Sequence, residues 1–378
     1  MKQKVKAIVG LIMVLILAAS CAVLPQQLDD NKPSFTPQVS TSPSETTENP
    51  SATSKEPLSV EEYNYQSVHR ENGRQITGSF VIDDTYTLKI DAVVDVSNVE
   101  RIGMYEYIRH PITDSERDSL LAAYFGDRID EVKHNTKGWN NSWELVTDTE
   151  SIHFGYSLSN HGISEDTFFI RDQKVRIEEG DRKMLTSIDA AGMKISLEDA
   201  FSMCETLVRS LTDSPYIPDN IRPFKQHQET EDGMLWIIYH RVADGMPITA
   251  YNDLKFYVLD SGATYIHGAL YDLKPVVIDS KIISLDDAIV HLQENASHVN
   301  DRNSFMDFER LYDGVIPISE ITFEYVAIRN ENYEYTVVPV WRFVIGDDEE
   351  SRLIARDRII SVNALTGELI ADRRRATF

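Results

Sequence analysis

The stretch ISLEDAF at positions 195–201 returns as ISLDDAI at 283–289. No other feature limits the fold as much. A serine followed three residues later by an acid, at the head of an apolar run, is how a chain begins a helix. In the first copy Leu197, Ala200, Phe201, Cys204, Leu207, Val208 and Leu211 fall at helical spacing. In the second the same face carries Leu285, Ala288, Ile289, Leu292 and Ala296. Strand-forming stretches follow each helix. They are MLWIIYHRVADGMPI and LKFYVLDSGATYIHG after the first, and ITFEYVAI, TVVPVWRFVIG and RIISVNALTGELI after the second. The last strand pair of each copy turns at a glycine, Gly262 or Gly367, as a tight turn needing positive φ requires. The spacing predicts two helix-plus-antiparallel-sheet modules, at 195–275 and 283–378.

Adjacent carboxylates invite a catalytic or metal-binding reading. The spacing favours a plainer one. Ser196 and Ser284 are placed as N-caps, Glu198 and Asp286 as the second helical residues, and Asp199 and Asp287 as the third. Acids there accept free N–H groups and meet the positive end of the helix dipole, each effect worth about 0.5–1 kcal/mol. A general acid needs a raised pKa, and a helix N-terminus lowers that of a carboxylate. These residues are read as structural caps.

Upstream, 74–96 reads as two strands and 102–108 as a third. A helix opens at Thr113 with Glu116 in capping-box spacing and ends at Gly126. Further strands are expected at 143–148 and 152–158. The fold class is therefore α+β: a β-rich N-terminal domain at 60–190, then the two modules.

The chain begins with Lys2, Lys4 and Lys6 and an apolar run to Ala19, too short to span a bilayer comfortably. It then reads LAASC. Small residues directly before a cysteine resemble the lipobox of bacterial lipoproteins. That resemblance implies a signal peptide at 1–20, cleavage before Cys21 and a lipid on its sulfur. Ala18 departs mildly from the leucine that the pattern prefers. Residues 21–59 follow as a disordered Ser/Thr/Pro tether, because a segment with so few large apolar residues cannot offset its ordering entropy. The net charge of −24 repels nucleic acid and anionic membrane faces. Beyond Cys21 the one cysteine is Cys204, on an apolar helix stripe, where a core thiol is expected.

The helix-then-hairpin grammar, with ISLDDAI, VPVWRF and SVNALTGELI, resembles PepSY-type modules and the related YycI-like regulators and YcdB-like surface proteins. The likeness covers roughly 195–370. The first copy departs at its turn, where LDSGATY stands for the usual NAxTGE. The whole layout resembles uncharacterised Firmicutes surface lipoproteins. It implies an extracytoplasmic chain, lipid-anchored on the outer face of a Gram-positive cell membrane. By analogy with such modules it implies a non-enzymatic binding or regulatory role toward an envelope protein or peptide.

Motifs of chemistry are missing from the sequence. None of the ten histidines forms an H-E-x-x-H pair, and no cysteine pair offers a zinc site. There is no G-x-S-x-G elbow, and FGYSLSNHG at 154–162 places serines near a histidine only in sequence. No phosphate-binding glycine motif occurs. The acidic runs DDEE, TEDG and EEGD lack the order of a calcium loop. No cofactor and no metal is expected. Trp236 and Trp341 occupy corresponding strands, where they could line a peptide groove or fill the core. A binding protein is the leading expectation. A cell-envelope hydrolase with an unrecognised site and a structural assembly protein are the alternatives.

Overall fold

The computed structural model describes residues 58–82, 84, 86–135, 142–148, 150–159, 162–173, 183–184, 191–225, 233–249, 254–295, 314–329, 334–355 and 360–370. Cys21, the tether up to residue 57, EEGD at 178–181 and residues 230–232 of TEDG lie outside them. The fold is mixed α and β, dominated by sheet, with few helices. Among the described residues no helix is long and apolar enough to cross a membrane.

Three helices begin on one local device. Helix α1 (Val60–His69) starts at Ser59, whose Oγ accepts from Glu62 N–H at 3.1 Å. Helix α2 (Asp114–Phe125) opens instead on a full capping box, Thr113 with Glu116, and Gly126 closes it. Helix α3 (Leu197–Leu211) starts at Ser196, which accepts from Asp199 N–H at 3.0 Å. Helix α4 (Leu285–Glu294) starts at Ser284, which accepts from Asp287 N–H at 3.1 Å. In the sequence, LSVEEYN at 58–64 is a third version of the repeated motif. Its helix buries Asn64 and Val68, so it lacks the aliphatic stripe that marks the other two.

The strands form two hydrogen-bonded sets. In the first, β4 (Lys133–Asn135), β5 (Ser142–Val146), β6 (Ser151–Ser159) and β7 (Gly162–Asp172) pair in order. Strand β8 is Lys183–Met184, β9 Tyr216–Lys225, β10 Gly233–Ala243, β11 Met246–Thr249, β12 Leu254–Leu259 and β13 Gly262–Gly268. Beyond β7 the order runs β13, β12, β10, β9, β8, antiparallel at every step. Helices α2 and α3 cover one face. Leu120, Leu121, Cys204, Leu207 and Val208 pack there against Phe154, Phe168, Leu235, Ile237, Phe256 and Ile266. Burying a leucine-sized side chain contributes about 1.5–3 kcal/mol, so this face carries much of the stability.

The second set is β1 (Gln75–Val81), β2 (Thr87–Asp95), β15 (Val315–Arg329) and β16 (Tyr335–Ile345). Strand β2 runs parallel to β15 and the other neighbours are antiparallel. The far edge of β16 is shared. Residues 340–342 pair with β17 (Ser361–Asn363), which pairs with β18 (Leu369–Ile370). Residues 335–337 pair with β3 (Met104–His110), which pairs with β14 (Leu270–Val276). A short helix, α5 (Glu349–Ala355), follows β16. Strands of the 60–190 stretch thus pair into both later segments, β7 with β13 and β2 with β15. Buried Asn64 adds to this, donating to Ser280 O at 3.2 Å and accepting from Ile282 N–H at 3.1 Å, just before α4.

Strand β11 joins the two sets, antiparallel to β10 and parallel to β15. The turn before it has Asp244 at φ 51 and Gly245 at φ 79, the pattern of a type I′ hairpin. A Cβ on Gly245 would stand 1.8 Å from Asn98 O, so the close approach requires glycine. The Asp244 carboxylate accepts from the hydroxyls of Tyr105 and Tyr325, and Tyr325 Oη accepts from Gly103 N–H at 2.7 Å. Burial and that carboxylate push both phenols above their ordinary range, so neither ionises at neutral pH. Nearby, Arg342 and Glu324 pair at 2.9 Å with side chains 1% and 3% exposed. Thr322 donates to Glu324, and Arg342 donates to Thr249.

Candidate functional site

The four capping residues stay at their helix starts. Ser196 and Ser284 each also donate a hydroxyl to the third-position acid, to Asp199 Oδ2 and Asp287 Oδ2, both at 2.7 Å. Each carboxylate is therefore held on its own helix. Asp286 pairs with Arg74 at 2.6 Å, and Glu198 is exposed. Cys204 is buried, and burial pushes its thiol up to about 12, far from the thiolate a nucleophile needs. Among the described residues no group of three or more His, Cys, Asp or Glu side chains could hold a metal ion.

Trp341 is fully buried. Its Nε1–H donates to Ile283 O at 3.2 Å, and its ring meets Phe323 edge-on at 4.9 Å. It locks β16 to the lead-in of α4. Trp236 takes the other course. On β10 the odd residues Leu235, Ile237 and Tyr239 face α3, where Tyr239 Oη donates to Phe201 O at 3.1 Å. Trp236 therefore lies on the face turned away from the helices.

Register builds a row on that face. Trp236 stands opposite Arg222 of β9 and Tyr257 of β12. Tyr257 stands opposite Tyr265 of β13, and Tyr265 opposite Arg171 of β7. Directly partnered residues project to the same side, so Arg222, Trp236, Tyr257, Tyr265 and Arg171 form one line across five strands. At about 4.8 Å per strand it is roughly 19 Å long. The rings touch in sequence. Trp236 stacks on Tyr257 at 5.2 Å and 20°, and Tyr257 tilts onto Tyr265 at 4.9 Å. Phe224 stacks on Trp236 at 6.2 Å, and His267 lies parallel to Tyr265 at 6.1 Å. Burial, then Lys255, lowers the His267 pKa to about 4, so it joins the strip as a neutral ring.

Two cations lie over the indole, the Arg222 guanidinium at 4.8 Å and the Lys255 ammonium at 5.8 Å from the ring centre. The Trp236 Nε1–H is buried and finds no acceptor among the described residues. A buried donor left unmade costs about 1–3 kcal/mol, so the strip holds a specific demand for an acceptor. None of this was readable from spacing. The five residues span 171–265, and their alignment exists only through strand register.

On the helix side, α2, α3 and the β12–β13 turn enclose a cleft of about 490 Å³. Met203, Leu207 and Ile152 give it an apolar floor, and Arg128 and Glu150 pair at 2.6 Å on its wall. An arginine cannot act as a base in a protein, so this pair offers charge for binding rather than an acid–base couple. Elsewhere His110 bridges Glu116 at 3.1 Å and Asp272 at 3.2 Å, joining β3, α2 and β14. Burial opposes the imidazolium, but the two carboxylates outweigh it and hold its pKa above the ordinary value.

No family model and no curated protein matches the sequence. Among solved structures the chain is similar to an uncharacterized protein from Eubacterium rectale, at 13% identity and TM-score 0.45 over 81% of this chain and 98% of that one. It is also similar to the Bacillus megaterium YpeB C-terminal domain, at 12% identity and TM-score 0.37 over 69% and 96%.

Proposed function

We propose that this chain is an extracytoplasmic lipoprotein, anchored through Cys21 to the outer face of the membrane, that binds an envelope protein or peptide without catalysing a reaction. The charged start, apolar run and LAASC support the anchor, and the Ser/Thr/Pro segment supports a tether. The cap, helix and hairpin order of 195–275 and 283–378 supports PepSY-like modules.

The observation that carries the binding reading is the Arg222–Trp236–Tyr257–Tyr265–Arg171 row. Stacked aromatics supply contact area at low entropic cost, and Trp, Tyr and Arg are the residues on which interfaces most depend. The row offers flat rings, an indole N–H without an acceptor and a cation at each end. A peptide carbonyl satisfies the N–H, side-chain rings or aliphatic groups cover the aromatics, and carboxylates approach the arginines. Capture from envelope extracts with the anchored protein and its Trp236→Ala variant tests this. A partner retained by the parent and lost by the variant supports the reading. The same recovered proteins with both would overturn it.

A further inference from the structure

We propose that β1 is a pairing edge for a second copy of this chain, so that two molecules join β1 to β1, antiparallel, about a two-fold axis at Gly78. Unpaired N–H and C=O groups along a sheet edge invite another strand, and proteins usually blunt such edges. The other edges here are blunted. Strand β9 carries Pro218 and Pro223, and β14 carries Asp272, Lys274 and Pro275. Strands β4, β8 and β18 are two or three residues long. Strand β1 runs seven residues, QITGSFV, with neither proline nor charge.

The ladder shows which groups are free to pair. Ile82 N–H donates to Tyr86 O and Val94 N–H to Arg74 O, both at 2.9 Å, in the same register as Gly78 opposite Ile90. Even-numbered residues therefore direct their backbone groups to β2. Gln75, Thr77, Ser79 and Val81 direct theirs to the outer side, where no strand pairs among the described residues. Their side chains are exposed, Val81 by 61%.

The strand is self-complementary about Gly78. Thr77 comes opposite Ser79 of the second copy, and Gln75 opposite its Val81, each pair exchanging both backbone hydrogen bonds. On the buried face Ile76 meets Phe80. No ionised residue lies within the strand, so no like charges face each other, although the chain as a whole is −24. The contact is isologous and closes at two molecules.

Salt separates this from capture of a basic peptide at the same edge. Two acidic molecules associate more tightly as salt screens their repulsion, whereas an acidic protein and a basic peptide separate. The test is sedimentation of the full chain carrying Cys21→Ser, over a concentration series at low and high salt. Ser79→Pro removes an N–H that points outward and spares the pairing with β2, a position where edge strands tolerate proline. Val81→Lys places a charge on the open edge and serves if the proline variant does not fold. The expected result is a monomer–dimer equilibrium that tightens with salt, and a dimer Kd raised about tenfold or more by either variant. A parent that stays monomeric, a dimer that loosens with salt, or folded variants that associate like the parent would each overturn the proposal.

Discussion

Trp236 and Trp341 each lie on a strand that follows a serine-capped helix, yet one caps an aromatic strip and the other is sealed in the core. The difference is one of phase. In β16, Trp341 and Phe343 face the side of α4, and the indole reaches Ile283. In β10 the residues that face α3 are Leu235, Ile237 and Tyr239. Matching tryptophan to tryptophan between the copies therefore places the strands one residue out of phase, and a one-residue offset exchanges the faces of a strand. The two segments share serine-capped helix starts and glycine turns, while the tryptophan of the first lies on the face turned away from its helix.

Substitution at the two positions sharpens that contrast. Trp341→Ala should cost about 3–5 kcal/mol, through lost burial and an unfilled cavity, read as a fall in urea midpoint. Trp236→Ala should cost less, about 1–3 kcal/mol from its two ring stacks, while removing partner binding. Equal losses at the two sites would erase the distinction. Glu324→Ala should approach the Trp341 effect, about 3–5 kcal/mol, because it removes the carboxylate paired with the buried Arg342 guanidinium. Ser196→Ala and Ser284→Ala should each cost about 1 kcal/mol and leave partner capture unchanged. A loss of capture from either would reopen the carboxylate pairs as functional.

The smallest effect is electrostatic. The folded-state pKa of His110 is raised, so its two ion pairs stabilise the protein fully below its unfolded value near 6.5. That stability is lost as pH rises through the folded value. The site is partly exposed, so the change should stay under about 1 kcal/mol. His110→Asn should flatten the slope of stability against pH in that window. His267 has the opposite sign. Its fit as a neutral ring is complete above about 6.5 and is lost as pH falls toward about 4.

Local rules carried the sequence reading as far as local rules reach. Ser196 with Asp199, Ser284 with Asp287, and the glycine turns at Gly262 and Gly367 are contacts within a few residues, so pattern alone exposes them. Gly262 and Gly367 have φ of 120 and 76. The cap at Ser59 escaped because α1 has no aliphatic stripe to draw attention to it. The aromatic row escaped for a deeper reason: Arg171, Arg222, Trp236, Tyr257 and Tyr265 are brought together by pairing across β7, β9, β10, β12 and β13. Register of that kind is a property of the assembled sheet.

We propose that a partner sits on the strip around Trp236. A photo-crosslinking benzoylphenylalanine at position 236 of the anchored protein, in intact cells, tests it most directly, with the same probe at exposed Val290 on α4 as the reference. A discrete protein adduct is expected from position 236 and none of that species from position 290. No adduct at 236, or the same species from both positions, would contradict it.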